Sequence, residues 1–457
     1  MITEHERFRF KDRAELLRRA AELGVPLPYS DDISVLLTPA DVAGRRLPNR
    51  FVVQPMEGCD AEKDGSPGPL TTRRYLRFAA GGSGLVWFEA TAVVPEGRAN
   101  PRQLWITPGN IEAFRRLIEV TRAEARATFG AGHDVLLVLQ LTHSGRYARP
   151  EGPRRPAIAQ HNPVLDERIG IGPNYPLISD EELDVLQEAY VRAAGLAAEA
   201  GFNGVDVKAC HGYLAGELLA AFTRSDSRYG GDFENRSRFL LEVVEKIRAA
   251  VPGVFVTSRF GVHDGLPWPY GFGAGEGKTA DLNLREPLEL ARRLCRLGSP
   301  VLNVTLGNPY FNPHYNRPYD VPVAGAALPE EHQLVGVGRL LGAAAAVQHA
   351  LPETPTVGAG YSWLRHFMPN VAAGAVARGD ATLIGLGRQA IAYPDCVKDL
   401  MEMGALDPER TCTACSGCSQ MMRDGGRAGC RVHDREVYAE EYRQGRARAK
   451  AAKDGRS

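Results

Sequence analysis

Apolar and polar positions along this chain follow one repeating order, a short apolar run and then a longer stretch with helical period. The apolar runs are Phe51–Val53, Leu85–Phe88, Val135–Leu141, Val205–Cys210, Val254–Phe260, Val301–Leu306, Pro355–Gly358 and Ala381–Leu386. Runs of this length, rich in Val, Leu and Ile and bounded by turn residues, predict buried strands. Between them lies a helix over Ile111–Phe129. A second helix opens on the capping box Ser179/Glu182 and carries Leu183, Leu186 and Val191 on one side. A third starts at Asp232 and is striped by Phe239, Leu240, Val243, Val244 and Ile247. Glycines at 81, 82 and 84, at 130 and 132 and at 201, and the pair Pro252-Gly253, mark where helices end.

Eight strand and helix units between residues 51 and 400 predict an α/β fold, a (β/α)8 TIM barrel rather than a doubly wound sheet. No GxGxxG follows a strand, so no Rossmann dinucleotide domain is expected. The organisation expected is an N-terminal extension over 1–35, the barrel over 36–405, a cysteine-rich segment over 406–445 and a basic tail over 446–457. Residues 147–178 read as a long Pro/Gly/Arg-rich loop, a lid or an oligomer contact; a homo-oligomer is expected.

Composition narrows the classes. With 457 residues, 44% of them hydrophobic, the chain can bury a large core. Its 55 basic residues balance 55 acidic ones, which gives no electrostatic reason to expect nucleic acid or an anionic membrane as partner. The charged N-terminal stretch has no signal-peptide pattern, and no run of about 18 apolar residues occurs. A soluble, cytoplasmic protein acting on a small molecule is expected.

Candidate chemistry gathers at strand ends. Val205, Val207 and Ala209 alternate with Asp206, Lys208 and Cys210, so Lys208 points away from the valines, and His211 and Tyr213 follow in the loop. Barrels keep their chemistry at such exits. Gln140 lies late in an apolar strand, where an unpaired amide costs about 1–3 kcal/mol, so it needs a polar partner. Arg259 ends the fifth strand; a salt bridge to Asp206 or Glu89 would explain it without function, as one to Asp206 would explain Lys208. After the last two strands, Gly358, Gly360, Gly387 and Arg388 let backbone N–H groups approach a phosphate. Cys412, Cys415, Cys418 and, after eleven intervening residues, Cys430 suit four thiolates round one metal centre. Spacing alone admits zinc or a [4Fe–4S] cluster. Cys59, Cys210, Cys295 and Cys396 read as buried small residues.

The stretch 201–239, and above all Arg228-Tyr-Gly-Gly followed by Asn235-Arg236, resembles the old yellow enzyme family of flavin oxidoreductases. The resemblance implies FMN on the barrel, with Pro55 and Met56 against the flavin ring and Ala90 beside it. Gln140 would meet the pyrimidine edge, and Arg259 the negative charge of the reduced ring. Gly358, Gly360, Tyr361, Gly387 and Arg388 would hold the phosphate. Lys208 stands where many members carry His. The cysteine spacing and the downstream EEYRQG are similar to the iron–sulfur branch of trimethylamine dehydrogenase and 2,4-dienoyl-CoA reductase, which favours [4Fe–4S]. That branch continues into flavin and nucleotide domains that this sequence lacks. NAD(P)H, a ferredoxin or a separate flavoprotein is therefore expected as electron partner. The implied reaction is hydride transfer between flavin N5 and an activated C=C, with Lys208 and His211 polarising a carbonyl and Tyr213 handling the proton. Two alternatives stay open: a dehydrogenase that oxidises amines, and a metal-stabilised electron-transfer subunit without catalysis.

Overall fold

Each apolar run forms a strand, and the eight strands close into one parallel barrel. They are β1 (Phe51–Val53), β2 (Leu85–Ala92), β3 (Leu136–Thr142), β4 (Gly204–Val207), β5 (Phe255–Gly261), β6 (Leu302–Thr305), β7 (Thr356–Gly358) and β8 (Leu383–Leu386), with β8 pairing back onto β1. The computed structural model describes residues 5–277 and 281–454. Helices α1 (Pro69–Ala80), α2 (Ile111–Phe129), α3 (Asp180–Ala200), α4 (Phe233–Ala250), α5 (Arg285–Arg296), α6 (Gln333–Ala350) and α7 (Met368–Ala377) follow β1 to β7 in turn. α8 (Cys396–Met403) follows β8.

The strands are apolar nearly throughout because both faces are buried. Alternation still sorts the two sides. Val52, Leu85, Trp87, Leu136, Val138, Val357 and Leu383 form one apolar cluster together with Ala40, Val42 and Leu47 of a preceding hairpin. Phe51, Val53, Val86, Phe88, Leu137 and Leu139 join the helices in a second. Toward the C-terminal ends of the strands, polar residues take over the first set's parity. Gln140 lies opposite Asp206, and Arg259 opposite Asn303. A dry lower layer under a polar upper one leaves the C-terminal mouth as the place for a ligand.

The expected caps form: Ser179 Oγ accepts from Glu182 N at 3.1 Å, Glu182 Oε2 accepts from Ser179 N at 2.7 Å, and Asp232 Oδ1 accepts from Asn235 N at 2.8 Å. The structure adds three details to those expectations. β4 stops at Val207, so Lys208 stands just beyond the strand. The 147–178 loop is not structureless; it contains a helical segment, Pro163–Ile169, whose Asp166 pairs with the buried Arg146. The basic tail continues a helix, α10 (Arg435–Asp454), and only residues 455–457 lie outside the described residues, as 1–4 do at the other end.

The cysteine-rich segment, with its short helix α9 (Gly417–Arg423), is sewn onto the barrel. Cys412 N donates to Gln389 Oε1 at 3.0 Å, Ala428 N to the Gly58 carbonyl at 2.7 Å, and Arg317 Nη1 to Ser419 Oγ at 2.7 Å. Arg73 and Arg77 both pair with Asp434. Among the described residues no helix is long and apolar enough to cross a membrane.

Candidate active site

One cavity opens at the barrel mouth, with an empty volume of about 1260 Å³, its open side included. Its walls come from the ends of several strands and from α9. The β1 exit gives Gln54, Pro55, Met56 and Glu57; the β4 exit gives Lys208, His211 and Tyr213; β5 gives Arg259. Tyr310, Asn316 and Arg317 come after β6, Gly360 and Ser362 after β7, and Gly387 and Arg388 after β8. Cys418 and Arg423 close it from the cysteine-rich side.

Lys208, His211 and Tyr213 meet as expected, all three buried. His211 reaches the cavity because its backbone adopts φ 63°, followed by Gly212 at φ 70°. Two consecutive left-handed residues are costly for a side chain with a Cβ, and such strain collects at functional sites. His211 Nε2 lies 3.3 Å from Thr305 Oγ1 and 3.3 Å from Asn316 Nδ2. Burial first, then Arg259, Lys208 and Arg317, push its pKa well below the ordinary value, so the ring is a neutral imidazole.

Lys208 does not pair with Asp206. Its Nζ lies 3.5 Å from Glu57 Oε1 and 3.7 Å from the centre of the Tyr213 ring. The Tyr213 hydroxyl donates to the same Glu57 oxygen at 3.1 Å and lies 3.1 Å from the Tyr310 hydroxyl. Burial and then the charge of Glu57 hold Tyr213 well above its ordinary pKa, so it stays a phenol. Glu57 is the one carboxylate among the lining residues, against Lys208, Arg259, Arg317, Arg388 and Arg423.

Arg259 pairs with neither Asp206 nor Glu89 through its side chain. Its backbone N donates to Asp206 Oδ1 at 2.6 Å, while its Nε is buried without a partner. Glu89 is taken by Arg74. Asp206 also accepts from Trp87 Nε1 at 2.8 Å and from Gln140 Nε2 at 2.6 Å, and burial pushes its carboxyl up to about 6. Gln140 thus finds its partner on the next strand and does not line the cavity; its Oε1 is left buried and unpaired. Gln54 sits at the cavity instead, accepting from Asn303 Nδ2 at 2.9 Å, with its own Nε2 unpaired.

At the phosphate end, Arg388 donates to the Pro318 carbonyl at 2.6 Å and keeps Nη1 buried and partnerless. A Cβ on Gly387 would meet only the Met56 Sδ at 3.6 Å, so its backbone faces open space. Gly360 holds φ 102°, which glycine tolerates best. Gly358, Tyr361 and Ala90 do not line the cavity: a Cβ on Gly358 would sit 3.0 Å from the Tyr361 hydroxyl, and the Ala90 carbonyl accepts from Gln103 Nε2 at 2.9 Å.

The four cysteines form no disulfide, and among the described residues no three His, Cys, Asp or Glu side chains close round a single ion. Two of the sulfurs nonetheless accept backbone hydrogen bonds. Ala414 N donates to Cys412 Sγ at 3.4 Å and His433 N to Cys430 Sγ at 3.3 Å. Burial pushes the Cys412 thiol up to about 12; Arg388 opposes this, while Cys418 and Cys430 add to it. Ala414 and Ser416 wind the loop through φ 52° and 55°. Sequence reasoning missed Gln54, Glu57, Tyr310, Asn316 and Arg317. Glu57 alone left a signal, a carboxylate directly after the Pro55-Met56 strand end.

A family described as NADH:flavin oxidoreductase / NADH oxidase matches residues 35–269. An NADPH dehydrogenase of Bacillus subtilis (strain 168) is 33% identical over 222 residues, 48% of this chain and 61% of the relative. An NADH oxidase of Thermoanaerobacter brockii is 28% identical over 375 residues, 81% of this chain and 51% of the relative. The chain thus spans 61% and 51% of the lengths of these two relatives. Among solved structures, 2-naphthoyl-CoA reductase in complex with 2-naphthoyl-CoA superposes with a TM-score of 0.69 at 22% identity, over 90% of this chain and 58% of the other, a likeness of fold.

Proposed function

Because the chain belongs to the NADH:flavin oxidoreductase / NADH oxidase family, we propose that it is an FMN-dependent oxidoreductase that takes electrons from NAD(P)H and reduces an activated C=C of a small carbonyl compound. One observation carries this reading: buried, partnerless donor atoms of Arg259, Arg388 and Gln54 belong to side chains lining the same cavity as Lys208, His211 and Tyr213. Orphaned buried donors are costly, and a planar, anionic cofactor would satisfy them.

When bound, FMN supplies hydride chemistry at its N5. Arg259 would hold the charge of the reduced ring, and Arg388 with the Gly387 backbone would hold the phosphate. Lys208 Nζ and the neutral His211 ring would donate to the carbonyl oxygen of the substrate, stabilising charge as it develops there. Tyr213, kept protonated, would deliver the proton to the adjacent carbon. Because Glu57 neutralises Lys208, this corner suits a neutral carbonyl rather than a free carboxylate. A cationic amine would meet the Lys208 ammonium there, with Glu57 already engaged by Lys208 and Tyr213, which weighs against amine oxidation.

Cys412, Cys415, Cys418 and Cys430 would hold a [4Fe–4S] cluster, which supplies one-electron exchange when bound; the N–H groups aimed at two of the sulfurs support this. Cys418 lies on the cavity wall, so a cluster there would adjoin the flavin. The test is direct. Purified protein should be yellow-brown, release FMN on acid treatment, contain about four irons per chain and oxidise NAD(P)H with cyclohexenone faster than with secondary or tertiary amines. A colourless protein that takes up no FMN refutes the reading.

A further inference from the structure

We propose that Tyr310 and Glu57 serve Tyr213 as a proton relay: Tyr310 returns a proton to the Tyr213 hydroxyl after each turnover, and Glu57 positions that hydroxyl and drives its refilling. The inference rests on Tyr213 being the proton donor.

A buried acid that gives up its proton must be refilled before the next cycle. Tyr213 is 2% exposed, and the groups hydrogen-bonded to its hydroxyl among the described residues are Glu57 and Tyr310. Tyr310 is 41% exposed and lines the cavity beside Tyr213. It is held there on both sides. Its ring stacks on Tyr147 with centroids 3.8 Å apart at 21°, its backbone N donates to Asn308 Oδ1 at 3.0 Å, and Asn308 Nδ2 donates to the Tyr147 hydroxyl at 2.7 Å. Fixed aromatic rings keep the two hydroxyls at hydrogen-bond distance, which a flexible side chain would not.

Atoms and electrons balance as follows. The Tyr213 O–H bond breaks and a C–H bond forms at one carbon of the alkene. FMN, where bound and reduced, would supply the hydride and its two electrons for the C–H bond at the other carbon, so that the alkene is reduced and the flavin oxidised. The Tyr310 O–H bond then breaks as its proton passes to the Tyr213 oxygen, and water or a buffer acid at the mouth reprotonates Tyr310. Glu57 changes no bond. Its charge beside the Tyr213 oxygen disfavours tyrosinate, while Lys208 over the ring keeps the corner neutral.

The titratable groups facing Tyr213 are Glu57 after β1, Tyr147 after β3, Lys208 after β4 and Tyr310 after β6. A test uses the FMN-loaded full chain with NADPH and cyclohexenone, comparing a single turnover with the steady state. Single turnover spends the proton already on Tyr213; the steady state needs the refill. For Y310F the ratio of steady-state to single-turnover rate should fall about tenfold, with recovery as imidazole buffer concentration is raised and a larger solvent deuterium effect on kcat. For E57Q, which keeps an oxygen acceptor but loses the charge, the alkaline limb of kcat should move to lower pH. Y310F with the wild-type ratio and no buffer dependence, or E57Q with an unmoved alkaline limb, overturns the relay. So does equal slowing of both phases, which marks a merely structural role. If the wild type holds FMN but never reduces cyclohexenone or cinnamaldehyde, the reading of function falls and takes the relay with it. Wild-type turnover with inert variants removes the relay alone.

Discussion

Two residues at strand exits show how burial sets what a side chain can do. Arg259 is buried, its backbone N is spent on Asp206, and its Nε is partnerless. A guanidinium so placed favours whatever anion shares the cavity. With FMN bound, R259M should lower the flavin midpoint potential by roughly 30–60 mV, since 30 mV is about 1.4 kcal/mol for two electrons; spectroelectrochemical titration of both proteins checks it. His143, at the exit of β3, is the reverse case, a base kept neutral. Burial pushes its pKa down to about 4, while its Nδ1 accepts from Gly145 N at 3.0 Å. A folded pKa below the unfolded value of about 6.5 means that stability is fully present above pH 6.5 and is lost as pH falls through 4. The shift corresponds to about 3 kcal/mol. Asp206, raised to about 6, and Asp264, raised to about 7, act with the opposite sign over the same range. The informative quantity is therefore the difference from H143Q. Denaturant midpoints of the two proteins should converge between pH 7 and pH 4.5, with the wild type losing more; parallel curves would contradict the assignment.

Among the elements, β8 is exacting at Gly385, where bare backbone packs against Gln54 and β7. A Cβ at Gly385 would lie 2.0 Å from Gln54 Nε2 and 2.6 Å from the Gly358 carbonyl. G385A therefore has to displace Gln54 from the cavity or part β7 from β8. Overpacking of this kind costs about 1–3 kcal/mol, and FMN affinity should fall with it; thermal melts with and without added FMN measure both. The strands themselves were legible in sequence, since burial on both faces leaves continuous Val, Leu and Ile runs. Lys208, His211 and Tyr213 were legible because one strand exit carries all three. Glu57 showed only as a carboxylate after a strand end, and Tyr310 not at all. They reach Tyr213 from 156 and 97 residues away, and nothing local marks a contact made by closing a barrel. Gln140 shows the limit from the other side. Alternation demanded a polar partner for its amide, and register supplied one that no local signal marks, Asp206 on the neighbouring strand.

At the scale of the molecule, the barrel mouth and the cysteine-rich segment are parts of one structure. Arg317 joins them: it lines the cavity, donates to Ser419 Oγ at 2.7 Å, and is brought down to about 10 by burial and by Arg388 and Arg423, with Cys418 opposing. The segment has few apolar anchors, Ala414 and Met421 among the buried ones, and is otherwise held by hydrogen bonds and by the Arg73 and Arg77 pairs to Asp434. A segment with so small a core is one that a bound metal would order. If the four thiolates hold iron and sulfide, C430S should remove the irons, expose residues 412–430 to limited proteolysis at least tenfold faster, and weaken FMN binding, because Cys418 and Arg423 form one wall of the same cavity. The barrel should keep its own cooperative melt, as its core is built from strands and helices outside that segment. Proteolysis followed by mass spectrometry, with FMN titration on the same sample, reads both effects. An iron-free C430S protein whose segment stays protected and whose FMN affinity equals that of the wild type would show that the thiols order nothing and that α9 is held by its hydrogen bonds alone.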